Sequence, residues 1–355
     1  MRIAVLGVGL IGGSVGMAAR ERVAGAEIVG FGRSRERLER ARERGALDRV
    51  ADSLDEALAG AEACFACAPV GALPEQVSAA LAAADEDCVV TDVGSVKTAL
   101  SEAVDDERFI GGHPIAGAET GGVEHARSDL FQGALWYLTP LERSSGLLYE
   151  RLHRIVAYLG ARPVAVDPAT HDRLVAVFSH LPHVLANVLV SQAATALSEE
   201  AEHLPEVGPS FRDATRVAGA NTEVWADIYR ANGTAIAGEV RRYAESLAEA
   251  ASLLEGSGDV AAWNDSARDE RRALLEAGVA GGPVHELQLT VPNRPGIVAQ
   301  VALALGKAGV NIVDMALAPA PDMRSGSMSL WVAGDGQAAR AEELIAELGF
   351  PVAER

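Results

Sequence analysis

The segment Arg2-Ile3-Ala4-Val5-Leu6-Gly7-Val8-Gly9-Leu10-Ile11-Gly12-Gly13-Ser14 decides how the rest of the chain is read. A short apolar run ends in a glycine turn, and an amphipathic stretch follows over 12–22. In that setting G-x-G-x-x-G has a mechanism. Gly7 makes the tight turn, Gly9 lets the backbone approach a pyrophosphate, and Gly12 lets helix and strand pack closely. The helix start at Leu10 and Ile11 then faces the phosphate charge. The alternative is a glycine-rich turn that holds no ligand.

Outward from this motif, strand-like runs over 2–7, 27–31, 63–68, 88–92, 109–112, 135–138 and 163–166 alternate with amphipathic stretches such as 34–44 and 73–84. Such alternation predicts an α/β Rossmann-type domain over 1–166, with a parallel sheet covered on both faces. For NAD, the second strand should end in an acidic residue about 20 residues past the motif. Position 32 is instead Gly, followed by Arg33, Ser34 and Arg35. Arginines suit a 2′-phosphate by charge and fork geometry, which points to NADP over NAD. The other reading is a pair of solvated charges at a helix start.

After Asp167-Pro168 the periodicity turns helical, and 167–280 reads as an all-α domain. One helix is expected over 170–196, kinked at Pro182, and another over 224–254, with a loop at 205–210 between them. Leu181, Val184, Leu185, Val188, Leu189 and Val190 give the first more apolar surface than an outer helix of a monomer needs. This predicts a homodimer through the helical domain. Residues 277–283 read as a linker. Beyond it lie a strand over 285–291, a helix over 295–308, strands over 310–317 and 327–332, a helix over 338–348 and a short strand over 350–352. This βαββαβ order over 283–355 is the ferredoxin-like arrangement.

Composition narrows the partners. The 355 residues are 49% hydrophobic and 23% charged, which excludes disorder as the main state. Lys+Arg number 31 against 50 Asp+Glu, a net charge of −19. So acidic a chain is a poor binder of nucleic acid or anionic membrane. No apolar run approaches the roughly 18–20 residues that would span a bilayer, and the first residues do not read as a signal peptide. The expected location is cytoplasmic. The three cysteines, Cys64, Cys67 and Cys88, are too few and odd in number for a disulfide framework. Cys64-Phe65-Ala66-Cys67 matches C-x-x-C, but on a strand positions i and i+3 face opposite sides, which favours core filler.

Four further strings carry chemistry. Thr91-Asp92-Val93-Gly94-Ser95-Val96-Lys97 follows a strand, where ligands bind in open α/β sheets. Lys97 and Lys307 are the only lysines. Ser95 either meets a ligand or caps the next helix. In Gly111-Gly112-His113-Pro114-Ile115-Ala116-Gly117-Ala118-Glu119, a His at a strand end suits proton acceptance from an alcohol during hydride removal. The third string holds His171-Asp172 and Ser179-His180-Leu181-Pro182-His183. His180 and His183 lie on one helix face, about 60° apart. They suit an anion or a carbonyl, hydrogen bonds inside the helix, or two metal ligands, although no third ligand has usable spacing. The last, Phe211 to Trp225, contains Asp213 and Arg216, which either pair with each other or leave Arg216 to grip a carboxylate bidentately.

Taken together, the strings 7–14, 92–97, 111–119, 171–183 and 211–225 resemble the prephenate/arogenate dehydrogenase family of tyrosine biosynthesis. Val291-Pro292-Asn293-Arg294-Pro295-Gly296 and Gly309-Val310-Asn311-Ile312 resemble an ACT domain, a small-molecule sensing module. The resemblance implies oxidative decarboxylation of prephenate to 4-hydroxyphenylpyruvate. The ring hydroxyl gives up its proton, the ring carbon passes a hydride to NAD(P)+, and the carboxylate leaves as CO2. By the same resemblance His113 accepts the hydroxyl's hydrogen bond and Ser95 assists near the nicotinamide. Arg216 holds a substrate carboxylate with His183 near the side-chain end, Asp213 orients or gates, and Glu119 lies at the pocket rim. Lys97 counts among the substrate-binding residues and Asp92 among the cofactor-binding ones. Asn293, Gly296 and Asn311 are the expected effector site, with tyrosine as the effector.

Position 118 is Ala where relatives often carry a hydroxyl residue. Gly32-Arg33 resembles the NADP-using branch, whereas His183 resembles prephenate-type rather than arogenate-preferring members. Two other functions compete. A β-hydroxyacid dehydrogenase would need a Lys in the helical domain, and none lies between Lys97 and Lys307. A non-catalytic sensor of dinucleotide and amino acid leaves His113 in its glycine-bracketed loop unexplained.

Overall fold

β1 (Arg2–Leu6) is buried from Ile3 onward because it lies mid-sheet, with a neighbour on each side. The computed structural model describes residues 1–117, 121–200, 207–256, 258–276, 284–292, 294–320, 325–350 and 352–354. With β2 (Glu27–Phe31), β3 (Arg49–Val50), β4 (Ala63–Ala66) and β5 (Val89–Asp92), β1 forms a parallel sheet in the order β3-β2-β1-β4-β5. The chain leaves β1 towards β2 on one side and returns to β4 on the other, so the crevice for a ligand opens beyond the ends of β1 and β4. Ile3 and Val5 pack with Val15, Ala18 and Ala19 of the helix Leu10–Arg22. Ala4 and Leu6 face Leu73, Val77 and Ala80 on the opposite side. Cys64 belongs to that second layer and Cys67 packs against the first, so the two sulfurs do diverge. Burial pushes both thiols above their ordinary pKa, which suits core filler and not a nucleophile.

One expectation needs correction here. The predicted strands over 109–112, 135–138 and 163–166 do not extend the parallel sheet. They form a separate one from β6 (Gly111–Pro114), β7 (Leu135–Thr139) and β8 (Arg162–Ala165), with β6 antiparallel to β7 and β7 parallel to β8. Phe109 makes a single parallel bridge to Val90 before the chain turns its pairing to β7.

Two compact units result: Met1–His171 with Gly282–Arg355, and Asp172–Gly281. In the first, β9 (Val284–Pro292), β10 (Ile312–Pro319), β11 (Ser325–Ala333) and β12 (Val352–Glu354) form an antiparallel sheet in the order β10-β11-β9-β12. The helices Ile297–Lys307 and Asp335–Glu347 connect its strands. Burial alternates along β11, with Met328, Leu330 and Val332 inward, the period of a sheet covered on one face. Leu287, Val298, Leu305 and Met328 lie in the same buried cluster as Ile3, Val15 and Tyr149. The C-terminal sheet is therefore built onto the nucleotide-fold part of the chain, and Lys307 pairs with Asp167 at 3.6 Å. The expected linker over 277–283 lies outside the described residues.

The second unit is helical: Leu181–Glu200, Pro209–Thr215, Thr222–Ala231, Gly233–Glu255 and Val260–Glu276. Val188, Leu189, Val190, Leu247, Leu254, Trp263 and Leu274 are exposed on it. Before Pro182, where a kink is expected, the helix passes through a π-helical turn, Ala176–His180. Proline lacks the N–H that would continue the ladder, and a widened turn absorbs the mismatch. The run Pro168–Ala196 is thereby long and apolar enough to cross a membrane by length and composition. That corrects the expectation that nothing in the chain approaches such a length: scattered polar residues hid it. The expected helix over 224–254 is broken at the buried Asn232, whose Nδ2 donates to the Asp172 carbonyl at 2.8 Å.

Candidate functional site

At the end of β1 the Gly7 N–H donates to the Phe31 carbonyl at 2.9 Å, with φ +93°. A Cβ on Gly12 would lie 2.3 Å from the Gly7 carbonyl oxygen, so only glycine lets the helix sit this close to the strand. A Cβ on Gly9 would meet nothing within 4 Å. Gly9 caps the helix Leu10–Arg22 without a side-chain hydrogen bond, so backbone N–H groups face open space at the positive end of a 13-residue helix. That cradle fits a pyrophosphate. At the end of β2, Ser34 accepts from the Arg37 N–H at 3.3 Å and caps the helix Arg35–Glu43. Arg35 is held by Glu39 at 2.9 Å and by Asp52. Arg33 is exposed, and among the described residues no carboxylate pairs with it.

Asp92 and Lys97 are fully buried and paired with each other. The Lys97 ammonium also donates to the Gly112 carbonyl at 2.7 Å. The Asp92 carboxylate accepts from the Gly94 N–H at 2.7 Å and the Gly112 N–H at 3.1 Å. Both side chains therefore face partners inside the fold. The glycine pair before His113 is what allows this. A Cβ on Gly112 would come within 2.7 Å of the Asp92 carbonyl and of Thr91 Oγ1, and one on Gly111 within 2.3 Å of Thr139 Oγ1. Ser95 lies half-buried in the loop after β5. It does not cap the next helix, Thr98–Ala103, whose N-cap is Lys97.

His113 is half-buried on β6, opposite Tyr137 in the ladder. Its Nδ1 lies 2.8 Å from Nε2 of the fully buried His171. Glu119 and Ala118 lie outside the described residues, as does Asn293. Gly296 opens the helix Ile297–Lys307 and packs against the Glu142 carbonyl. The Asn311 N–H donates to Gln337 Oε1 at 2.9 Å. Its own Oδ1 is buried with no hydrogen-bond partner among the described residues.

The second unit gathers aromatic rings. His183 stacks on Trp225 with centroids 3.5 Å apart and planes 25° apart, and His180 meets Trp225 edge-on at 5.8 Å. Tyr229 packs against Trp225 at 5.4 Å. His183 Nδ1 donates to the Ser179 carbonyl at 3.0 Å, which leaves Nε2 as the acceptor nitrogen of the neutral ring. Burial pushes the His183 pKa down, favouring that neutral form. His180 Nδ1 lies 3.2 Å from Asn232 Nδ2. Among the described residues no group of three or more His, Cys, Asp or Glu gathers to hold a metal. Asp213 and Arg216 are exposed; Arg216 lies just past the helix Pro209–Thr215, and its N–H donates to the Asp213 carbonyl. Sequence reading missed the ring platform of Trp225 and Tyr229, although their i, i+4 spacing puts both on one face of Thr222–Ala231.

Comparison with known proteins agrees with this division. Residues 15–165 match the prephenate dehydrogenase nucleotide-binding domain, and 167–266 match the prephenate dehydrogenase dimerization domain. The chain is 28% identical over 354 residues to the prephenate dehydrogenase of Bacillus subtilis, covering 97% of this chain and 95% of that one. It is 29% identical over 239 residues to the cyclohexadienyl dehydrogenase of Zymomonas mobilis, covering 66% and 82%. The crystal structure of Aquifex aeolicus prephenate dehydrogenase in complex with hydroxyphenyl propionate and NAD+ superposes with a TM-score of 0.73 at 26% identity, covering 77% of this chain and 98% of that one. Synechocystis arogenate dehydrogenase superposes at 0.62 with 29% identity, covering 78% and 97%.

Proposed function

The chain belongs to the prephenate dehydrogenase family, and from that premise we propose that it converts prephenate to 4-hydroxyphenylpyruvate and CO2 with reduction of a nicotinamide dinucleotide. The observation that carries the reading is His113: a half-buried imidazole on a strand pinned to the end of β5, with Nδ1 engaged by His171. The bound dinucleotide supplies the hydride acceptor. His113 accepts the hydrogen bond of the ring hydroxyl as the hydride leaves the same carbon. The ring carboxylate departs as CO2, and its electron pair completes the aromatic ring. The proton ends on the phenol, so none is released overall. Aromatisation supplies the driving force, and the protein's share is orientation and charge placement. Ser95, in the loop beyond β5, assists beside the nicotinamide.

In the second unit Arg216 holds a substrate carboxylate, as a planar fork suits. His183, neutral on Trp225, contacts the side-chain end, and Asp213 orients or gates. By the family resemblance, Glu119 is also assigned to the substrate. For the dinucleotide we favour NADP, because Arg33 is the exposed cation at the end of β2 and no carboxylate ends that strand. The exposed apolar residues of the helical unit support a homodimer formed through it. The βαββαβ order and antiparallel sheet at the C-terminal end support an ACT-type module, with tyrosine as its effector near Gly296 and Asn311.

One steady-state matrix tests the proposal: prephenate and arogenate, each with NAD+ and NADP+, with and without tyrosine. Prephenate with NADP+ is expected to give the highest kcat/KM, and tyrosine to lower the rate. Absence of dinucleotide reduction under all conditions would overturn it.

A further inference from the structure

Two neutral imidazoles whose nitrogens lie 2.8 Å apart share one N–H, so one ring donates and the other accepts. The choice matters. If His171 donates, His113 carries its own proton on Nε2 and offers the substrate a donor. If His113 donates from Nδ1, its Nε2 carries the lone pair that takes up the hydroxyl's proton. Only the second arrangement leaves His113 able to accept a proton, and three observations suit His171 to the neutral, fixed part it then plays. His171 is fully buried, where charge on it is costly. It sits in the first turn of the helix Pro168–Val175, and its backbone N–H donates to the Asp167 carbonyl at 2.9 Å. A helix N-terminus disfavours an imidazolium there, so once His113 has taken up the hydroxyl's proton the positive charge stays on His113. Its ring also stands edge-on to Tyr137, at 5.4 Å and 89°, and Tyr137 is the ladder partner of His113. One strand pair thus fixes both the base and the ring that braces its neighbour.

We infer that His171 is a positioning residue for the reaction: its Nε2 accepts the Nδ1–H of His113 and holds His113 in the tautomer that takes a proton at Nε2. This rests on the reading of His113 given above. As the hydride leaves the ring carbon, the hydroxyl's proton moves to Nε2 of His113. The imidazolium keeps its Nδ1–H bond to His171, and the proton returns to the phenolate oxygen after CO2 departs. His171 neither gains nor loses a proton. The division of labour is that of the orienting third member of a catalytic triad, with an imidazole in place of a carboxylate.

The test uses the full-length enzyme and two readouts. In the ¹⁵N spectrum of histidine-labelled protein, with His113 assigned by its loss in His113→Asn, Nδ1 of His113 should be protonated and Nε2 not. A His113 protonated on Nε2 overturns the inference, whatever the variants do. His171→Leu removes the acceptor and should lower kcat about 10- to 100-fold with the dinucleotide KM unchanged. It should also move the acid limb of the kcat/KM profile to lower pH, because the imidazolium of His113 loses its hydrogen-bond partner. His171→Gln restores an acceptor oxygen and should recover kcat to within about 3-fold of wild type. Wild-type kcat and pH profile in His171→Leu would refute the role. Full activity in His113→Asn would instead refute the reading of His113 itself.

Discussion

Lys97 and Asp92 form a fully buried ion pair that grips the backbone of one residue from both sides: the ammonium holds the Gly112 carbonyl and the carboxylate holds the Gly112 N–H. The next residue is His113. Sequence reading gave these two side chains to ligands, yet their partners lie within the fold. They act on the site through the backbone.

Removing one partner leaves a charge buried alone. Lys97→Met or Asp92→Asn should each destabilise the protein by about 3–5 kcal/mol, and the double variant by less than the sum. Urea unfolding of the single variants and the pair checks this. Additive losses would mean that the two charges do not depend on each other.

The glycine turn separates folding from ligand binding. Nothing stands within 4 Å of a Cβ on Gly9, and its φ of −101° lies outside the left-handed region. Gly9→Ala should therefore keep the wild-type Tm and lose dinucleotide affinity by more than about 10-fold, since a methyl group intrudes where a pyrophosphate must approach. Gly12→Ala should fail earlier, in folding, because its Cβ meets the Gly7 carbonyl. Calorimetry with titration of the dinucleotide distinguishes the two; unchanged affinity in Gly9→Ala would count against the cradle.

Arg33→Ala should raise the KM for NADP+ about 10- to 100-fold and leave that for NAD+ within about 2-fold, the loss expected for a charge-assisted hydrogen bond to a phosphate. An unchanged ratio of the two cofactors would remove Arg33 from the site.

Much of this is legible in the amino-acid sequence. The strands 27–31 and 63–66 show as apolar runs because a central parallel strand is buried on both faces, and the glycine turn announces the switch point. The short β3 carried no pattern, since Arg49 and Val50 are too few to show a period. The separate sheet of β6, β7 and β8 was hidden because an apolar run does not say which strand it pairs with. The pairing of Asp92 with Lys97 is hidden for a related reason: polar residues at a strand end look the same whether they face a ligand or each other. His171 stands out in the sequence, but its partner is 58 residues away, and only the fold brings it to 2.8 Å.

Acid should weaken the junction of the C-terminal sheet. His153, buried on the helix Gly146–Tyr158, has its pKa pushed down to about 4 by burial. The unfolded chain titrates near 6.5 and binds the proton more readily. The stabilisation of the neutral ring is complete above about pH 6.5 and is lost as pH falls towards 4, up to about 3 kcal/mol. Unfolding free energy measured from pH 7 to 4 should fall less steeply in His153→Leu than in wild type. Parallel slopes would show that His153 does not titrate in this range.

The most direct measurement of the central claim is the turnover of His113→Asn with saturating prephenate and dinucleotide. The account predicts a kcat lowered by about 10²- to 10⁴-fold with dinucleotide affinity close to wild type. A kcat within a few-fold of wild type would contradict it.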